Sequence, residues 1–328
     1  MGKARRRLSR RLPDPVATLA VTCRSRPVPS GPAPPVPAGL CRRPGRFPPE
    51  PRRGVRRHRG GRFPPDTQAP NPTREDEGGE PNPGALRRPG MERIKAILVL
   101  TAAVAFAVSP LISTGFNGFS PDQFPVPQTD PPIQPAGWAF SIWLPIYAWL
   151  VASGGYGLLR RDNDPDWGRT RWPLIVSLAV GAAWIPVANI SPEWATALIW
   201  IMWATAVLTL LRSPGRDRWW LRAPVALYAG WLTAAASVAS GLLATGYGIE
   251  PVVTTHAGFL LLALALASMV LRLTGEPVYV LAILWALAGI AVANLEPLVT
   301  IMVLLPVVGA ILLAIPVLAR MRRSSVAS

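Results

Sequence analysis

The chain has 328 residues, of which 50% are hydrophobic and 16% charged, and its 34 Lys and Arg residues outnumber 18 Asp and Glu residues. The excess lies at one end, because residues 1–90 contain 20 of the basic residues and 19 of the 38 prolines, whereas all 13 tryptophans follow residue 90. Cys23 and Cys41 have no CxxC spacing, and there are only two histidines. A disulfide framework, a zinc ribbon and a His-rich metal site are therefore excluded.

Residues 1–90 form an Arg- and Pro-rich extension. With so few apolar side chains it cannot offset the entropy cost of ordering, and we expect it to be disordered. Two interpretations stay open: a functionless extension translated upstream of a start at Met91, or a tether for acidic lipid headgroups. Only Phe47 and Phe63 interleave with the arginines, so no nucleic-acid partner is expected.

After Met91 the chain is apolar in long runs, and eight of them approach the roughly 20 residues that a transmembrane helix needs. They cover residues 96–116, 138–159, 173–190, 194–211, 223–244, 252–271, 278–293 and 298–318. This pattern predicts an all-α polytopic membrane protein with about eight transmembrane helices, of which the third, fourth and seventh are short.

The loops that join these segments differ in their basic residues. With eight spans, all 14 Lys and Arg residues after Met91 fall on one side of the membrane. The positive-inside rule assigns such a side to the cytoplasm. We therefore expect an integral membrane protein with both termini in the cytoplasm.

The interiors of the predicted spans contain no Asp, Glu, Lys or Arg. Ion-coupled carriers place such a group at depth, so an ion-driven transporter is not expected. Acidic residues cluster only after the second span, at Asp162, Asp164 and Asp166. A membrane prenyltransferase would hold magnesium with two such loops. Because the second is missing, we interpret the cluster as a solvated loop and expect no enzyme.

The tryptophans fall into two classes. Those at span ends or in loops are expected to be anchors at headgroup level, namely Trp138, Trp167, Trp172, Trp194, Trp219 and Trp220. Deeper in the spans, Trp143, Trp184 and Trp200 share one depth, with Tyr147, Trp203 and Trp231 nearer the midplane. Indole N–H groups at depth need partners, so these aromatic layers form either a packed core or a cavity for a flat ligand.

Three segments resemble the tryptophan-rich sensory protein family, also called TspO/MBR and related to the translocator protein or peripheral benzodiazepine receptor. They are PPIQPAGWAFSIWLPIYAWL at 131–150, SLAVGAAWIPVAN at 177–189 and PVALYAGWLTAAASVA at 224–239. The resemblance implies a five-helix bundle over residues 91–245 in a bacterial plasma membrane. Residues 246–328 would add three transmembrane helices, as a packing element or the interface of a homodimer.

The resemblance also implies a sensory or regulatory binding protein. Its pocket would take a hydrophobic planar small molecule, a porphyrin or haem in type, with no cofactor required. The candidate ligand-binding residues are Trp138, Phe140, Trp143, Tyr147, Trp184, Trp203, Tyr228 and Trp231. All but Trp203 lie in the segments that carry the resemblance, and Trp203 is a candidate because it belongs to the aromatic layer near the midplane. Gly181 and Ala239 stand where the family often has polar residues, so polar contacts are reduced. A permease for a neutral or apolar solute is the alternative.

Overall fold

The structure is a computed structural model that describes residues 89–113, 116 and 118–326, all within the unit Glu77–Ser328. Residues 1–90 were expected to be disordered, and all of them up to residue 88 lie outside the described residues. Within the described ranges the chain forms eight α-helices and no β-strand. The prediction of an all-α polytopic membrane protein is confirmed.

The helices are α1 Pro89–Ile112, α2 Trp143–Arg160, α3 Pro165–Ala188, α4 Pro192–Arg212, α5 Ala223–Gly246, α6 Val252–Thr274, α7 Pro277–Ala293 and α8 Thr300–Val326. A 3₁₀ turn, Gly137–Ile142, leads into α2, and a π-helical turn, Arg218–Arg222, leads into α5. Among the described helices seven are long and apolar enough to cross a membrane, and α7 is shorter, with 17 residues.

Three of the helices begin with the same local signal, a capping side chain followed by proline. Asp164, Ser191 and Glu276 each accept a hydrogen bond from a backbone N–H of the first turn. Proline fits the next position because the N–H it lacks would have no intrahelical acceptor there. This signal starts α3 at Pro165, so the start inferred at residue 173, where the apolar run begins, was wrong.

The earlier start of α3 brings a charged group into the bundle. Arg171 is only 2% exposed, and its guanidinium donates to the Glu92 carboxylate at 3.0 Å and to the Arg161 carbonyl at 2.6 Å. Arg171, expected in a cytoplasmic loop, lies instead in the second turn of α3, two residues before the predicted span begins at residue 173. A buried arginine is tolerated because it is paired and hydrogen-bonded.

The expected anchor Trp167 also belongs to α3 and is buried rather than exposed. Its indole Nε1 donates to Asp217 at 3.1 Å, and its ring lies where a Cβ on Gly157 would come within 2.6 Å of it. The other five expected anchors are exposed. Trp167 is therefore wrong as an anchor and instead locks α3 to α2.

Helix α5 lies at the centre of the bundle, where 83% of its apolar window is buried, and it packs against α4, α6 and α7. Helix α7 approaches it closely: a Cβ on Gly230 would lie 2.4 Å from the Tyr279 carbonyl oxygen. Only glycine permits that approach of two backbones. Helix α7 is thus built into the same core as α5.

One end of the bundle is covered by the segment between α1 and α2, which we call the strap (residues 118–136). Its Val126 N–H donates to Gly246 at 2.9 Å, its Ala136 N–H donates to Gly289 at 3.0 Å, and Gln123 Nε2 donates to the Ala188 carbonyl at 2.9 Å. These bonds fasten the strap to the ends of α5, α7 and α3. We call this end of the bundle the strap end.

Arginines mark the opposite end, which we call the arginine end. Asp217 accepts two hydrogen bonds from Arg161, at 2.7 and 3.0 Å, and Glu276 pairs with Arg218 and Arg222. The bonds from Arg161 lower the pKa of Asp217. These pairs tie together the loops that follow α2, α4 and α6.

Candidate ligand cavity

The strap end contains two chambers that share a wall. The inner chamber, of about 50 Å³, lies between the strap, α5 and α7 and is roofed by Gln134 of the strap. Its α5 wall consists of Trp231 and of small or aliphatic residues, Ala234, Ala235, Val238, Ala239 and Leu242. Helix α7 contributes Ala286 and Ile290.

The outer chamber is wider, about 700 Å³, and lies between α1 and α2. Ala107, Pro110 and Leu111 line it from α1, while Leu144, Tyr147 and Ala148 line it from α2. Leu111 and Leu144 are 82% and 75% exposed. The chamber therefore has an exposed apolar rim between two helices that are apolar enough to cross a membrane.

The wall common to both chambers is aromatic. It consists of Phe116, Phe140, Trp143, Trp184 and Ile199. The chambers therefore form one cavity with an aromatic partition, a wide side with an exposed apolar rim and a narrow side facing the bundle centre.

Trp143 contacts several of the aromatic rings around the two chambers. Its ring stacks on Tyr147, one helical turn on, with centroids 5.3 Å apart and planes within 15°. It meets Trp231 edge to face at 6.0 Å, and Phe140 meets Trp231 in the same way at 6.0 Å. The prediction that Trp143 and Tyr147 share one face of α2 is confirmed.

Trp184 closes the partition from α3. Its Nε1 donates to the Ala195 carbonyl of α4 at 2.8 Å, which fixes the orientation of the indole, and Phe116 packs edge to face on its ring at 4.8 Å. The hydrogen bond leaves the apolar ring face to both chambers.

Two of the eight residues proposed from sequence line neither chamber. Trp203 Nε1 donates to Thr233 Oγ1 at 2.8 Å, and Thr233 is also 2.7 Å from the Tyr279 hydroxyl. The fully buried Tyr228 hydroxyl lies 3.0 Å from Ser177 Oγ. These hydrogen bonds connect α3, α4, α5 and α7, and none of the side chains that form them lines a chamber.

The remaining six, Trp138, Phe140, Trp143, Tyr147, Trp184 and Trp231, all line one chamber or both. Trp138 is at the outer rim, where its ring meets Trp285 of α7 edge to face at 4.9 Å. The structure therefore brings together six of the eight candidate residues and leaves Trp203 and Tyr228 outside both chambers.

Sequence reasoning missed the contributions of the strap and of α7. Gln134 carried no signal beyond its place in a proline-rich loop. Helix α7 is apolar on every side, so periodicity could not indicate which of its residues face a cavity. Gly289 is the residue of α7 at which the strap approaches closely, since a Cβ there would lie 2.9 Å from Pro135.

The described lining of both chambers is uncharged, with Gln134 and Ser141 as its polar side chains apart from the aromatic N–H and O–H groups. One of these groups is unsatisfied. Trp231 Nε1 is buried and has no hydrogen-bond acceptor among the described residues.

The acidic cluster near the arginine end has local partners. Asp164 caps α3 and pairs with Arg216, and Asp166 pairs with Arg169. Asp162 accepts from the Asn163 backbone at 3.0 Å. In the part of the chain that the structure describes, no group of three or more His, Cys, Asp or Glu side chains is placed to hold a metal ion.

Comparison with protein families gives a match to a family model described as TSPO-like protein, over residues 95–318. The matched range runs from the first turns of α1 into α8 and so includes the last three helices, which the sequence resemblance did not reach. Neither the curated proteins nor the solved structures gave a match.

Proposed function

The chain belongs to the TSPO-like protein family, and from this membership we propose that it is a membrane sensory or regulatory protein whose aromatic cavity binds a hydrophobic planar molecule such as a tetrapyrrole. The observation that carries the proposal is the partition between the chambers, in which Trp143 is exposed to both sides while stacked on Tyr147. Aromatic rings held in this way offer flat faces to a flat ligand.

The size and the opening of the outer chamber support the same function. A volume of about 700 Å³ is within the range of small-molecule sites. A hydrophobic ligand concentrates in the bilayer, and the opening between α1 and α2 faces that reservoir. We propose that the ligand enters from the lipid and stacks against the partition.

The residues proposed to contact the ligand are Trp138, Phe140, Trp143, Tyr147, Trp184 and Trp231. Trp203 and Tyr228, the other two candidates from the sequence, are proposed to act indirectly, because their hydrogen bonds to Thr233 and Ser177 position α5, which forms a wall of the inner chamber.

The cellular setting belongs to the proposal as well. An excess of arginine at one end of the bundle predicts that this end, with both chain termini, lies in the cytoplasm. The strap end and the cavity would then face the outer leaflet of a bacterial plasma membrane. Assembly as a homodimer is a further expectation.

The alternative function, passage of a neutral solute across the membrane, requires a path along the whole bundle. Both chambers lie nearer the strap end, and the hydrogen-bonded Tyr228 and Ser177, which line neither chamber, lie between them and the arginine end. This arrangement favours binding over transport.

Quenching of tryptophan fluorescence by a porphyrin tests the proposal. Purified protein in nanodiscs should show saturable quenching, and the Trp143→Ala variant should bind more weakly. Directional uptake of the porphyrin into sealed vesicles would instead support the permease.

A further inference from the structure

We infer that the cavity selects an uncharged ligand that accepts a hydrogen bond from Trp231 Nε1. The inference deepens the proposed function, on which it rests. It assigns Trp231 as a specificity-determining residue and names the chemical class of the ligand: an apolar ring system carrying a carbonyl, an ester or another neutral acceptor.

The first observation is the unsatisfied indole itself. Trp231 is 2% exposed, and its Nε1 has no acceptor among the described residues. Six other indoles in the same bundle do have one, at 2.8 to 3.1 Å: Trp149, Trp167, Trp184, Trp200, Trp203 and Trp285. Of these six, Trp167 and Trp184 are buried, as Trp231 is. Both have an acceptor, and the buried indole without one lies in the wall of the inner chamber.

An unsatisfied buried donor destabilises a protein, because it has lost its hydrogen bond to water and gained none in return. The donor lies in the wall of the inner chamber, so an acceptor group carried by the ligand would have to extend past the partition from the outer chamber to meet it. Gln134 lines the same inner chamber and offers a second neutral polar group.

The second observation is the absence of charge. Among the described residues that line the chambers there is no Lys, Arg, His, Asp or Glu. The ion pairs named above lie at the arginine end, beyond the core groups Tyr228 and Ser177. A ligand carboxylate placed in the chambers would lose its hydration without gaining a cation, which is costly in an apolar environment. Neutral acceptors escape this cost.

A matched pair of ligands tests the charge selectivity on the unaltered protein. Protoporphyrin, with two carboxylates, and its dimethyl ester have the same planar ring. In nanodiscs of phosphatidylcholine, with empty nanodiscs as the reference for partitioning, the ester should quench tryptophan fluorescence with at least about tenfold higher affinity. Equal affinities, or tighter binding of the diacid, would overturn the inference.

A matched pair of variants tests the donor. Trp231→Phe keeps an aromatic ring in the wall but removes the unsatisfied N–H together with the pyrrole part of the indole. The affinity for the ester should fall about fivefold to tenfold, and the lost packing should lower the melting temperature. Trp200→Phe is the control, because Trp200 lines neither chamber and its N–H is already bonded to Ser240 Oγ at 2.9 Å. It should lower the melting temperature and leave the affinity unchanged.

Full affinity of Trp231→Phe for the ester would also overturn the inference. These outcomes distinguish the inference from the proposed function. If both porphyrins bound saturably and with equal affinity, the proposed function would stand and the inference would fail. If neither porphyrin bound saturably to the unaltered protein, the proposed function and the inference would both fail.

Discussion

Trp143 and Tyr147 stack with ring centroids 5.3 Å apart, and both rings line the outer chamber. The stacking follows from their spacing of four residues on α2, which places them on one face of the helix. Phe106 of α1 packs edge to face on both rings, at 5.7 and 4.9 Å. One side of the stack is thus held by the protein, and the other side is left to the cavity.

The opening between α1 and α2 can be tested by obstruction. Ala107 lines the outer chamber from α1, so Ala107→Trp should fill the opening and slow porphyrin association by about tenfold, a size expected for the loss of an access route rather than of a contact. Stopped-flow quenching measures the rate.

Ala105→Trp is the control for this experiment, because Ala105 is exposed on the same helix and does not line a chamber. Equal association rates for the two variants would show that the ligand enters elsewhere.

The contact of α7 with α5 predicts a stability effect. A Cβ at Gly230 would lie 2.4 Å from the Tyr279 carbonyl oxygen, so Gly230→Ala should force the two helices apart and lower the free energy of unfolding by about 1–3 kcal/mol. Gly155→Ala on α2 meets nothing within 4 Å and should be neutral or slightly stabilising. If both variants had the same melting temperature as the unaltered protein, the close contact between Gly230 of α5 and Tyr279 of α7 would be contradicted.

The ion pair at the arginine end predicts a dependence of stability on pH. Hydrogen bonds from Arg161 lower the pKa of Asp217 below its ordinary value of 3.8. A lowered folded-state pKa contributes stability that is present above the ordinary value and is lost as the pH falls through the folded-state value.

As the pH falls below roughly 4, the melting temperature should therefore decrease more steeply for the unaltered protein than for Asp217→Asn. Asp130→Asn, at an exposed position of the strap, should keep the original pH dependence. A pH profile unchanged by Asp217→Asn would mean that the pair with Arg161 does not stabilise the fold.

Topology in the cell follows from the eight helices and the basic loops. A reporter that is active only in the cytoplasm should work when fused after Arg212 or Arg323, both at the arginine end, and should fail after Glu250, at the strap end. Activity after Glu250 would reverse the orientation that the arginines indicate.

The helices were predictable where apolar runs and turn residues coincide, as at α4, whose Ser191-Pro192 cap directly precedes its apolar run. The start of α3 was harder to predict. Hydropathy indicates where a helix becomes apolar, whereas the cap at Asp164 indicates where its backbone hydrogen bonding begins. Arg171 lies between these two points, and its burial depends on a partner, Glu92, that is 79 residues away in sequence.

The candidate site shows a similar division. Spacing alone placed Trp143 and Tyr147 together, since both are on one helix. It could not distinguish Trp231, which faces a chamber, from Trp203, whose N–H is taken by Thr233, because that difference depends on how α4 and α5 are rotated against each other. Ala286 and Ile290 of α7 had no sequence signal at all, and only the packing of α7 on α5 reveals them.

The measurement that bears most directly on the central claim is porphyrin quenching and melting temperature recorded together on Trp143→Ala and Trp219→Ala. Loss of the Trp143 ring removes one stacking partner, worth about 0.5–1.5 kcal/mol, so the affinity should fall roughly threefold to tenfold. Trp219 is 60% exposed at the arginine end, and its replacement should leave binding unchanged. If Trp143→Ala instead melted much earlier and no variant, nor the unaltered protein, showed saturable quenching, the tryptophans would be a packed core and the cavity would have no ligand.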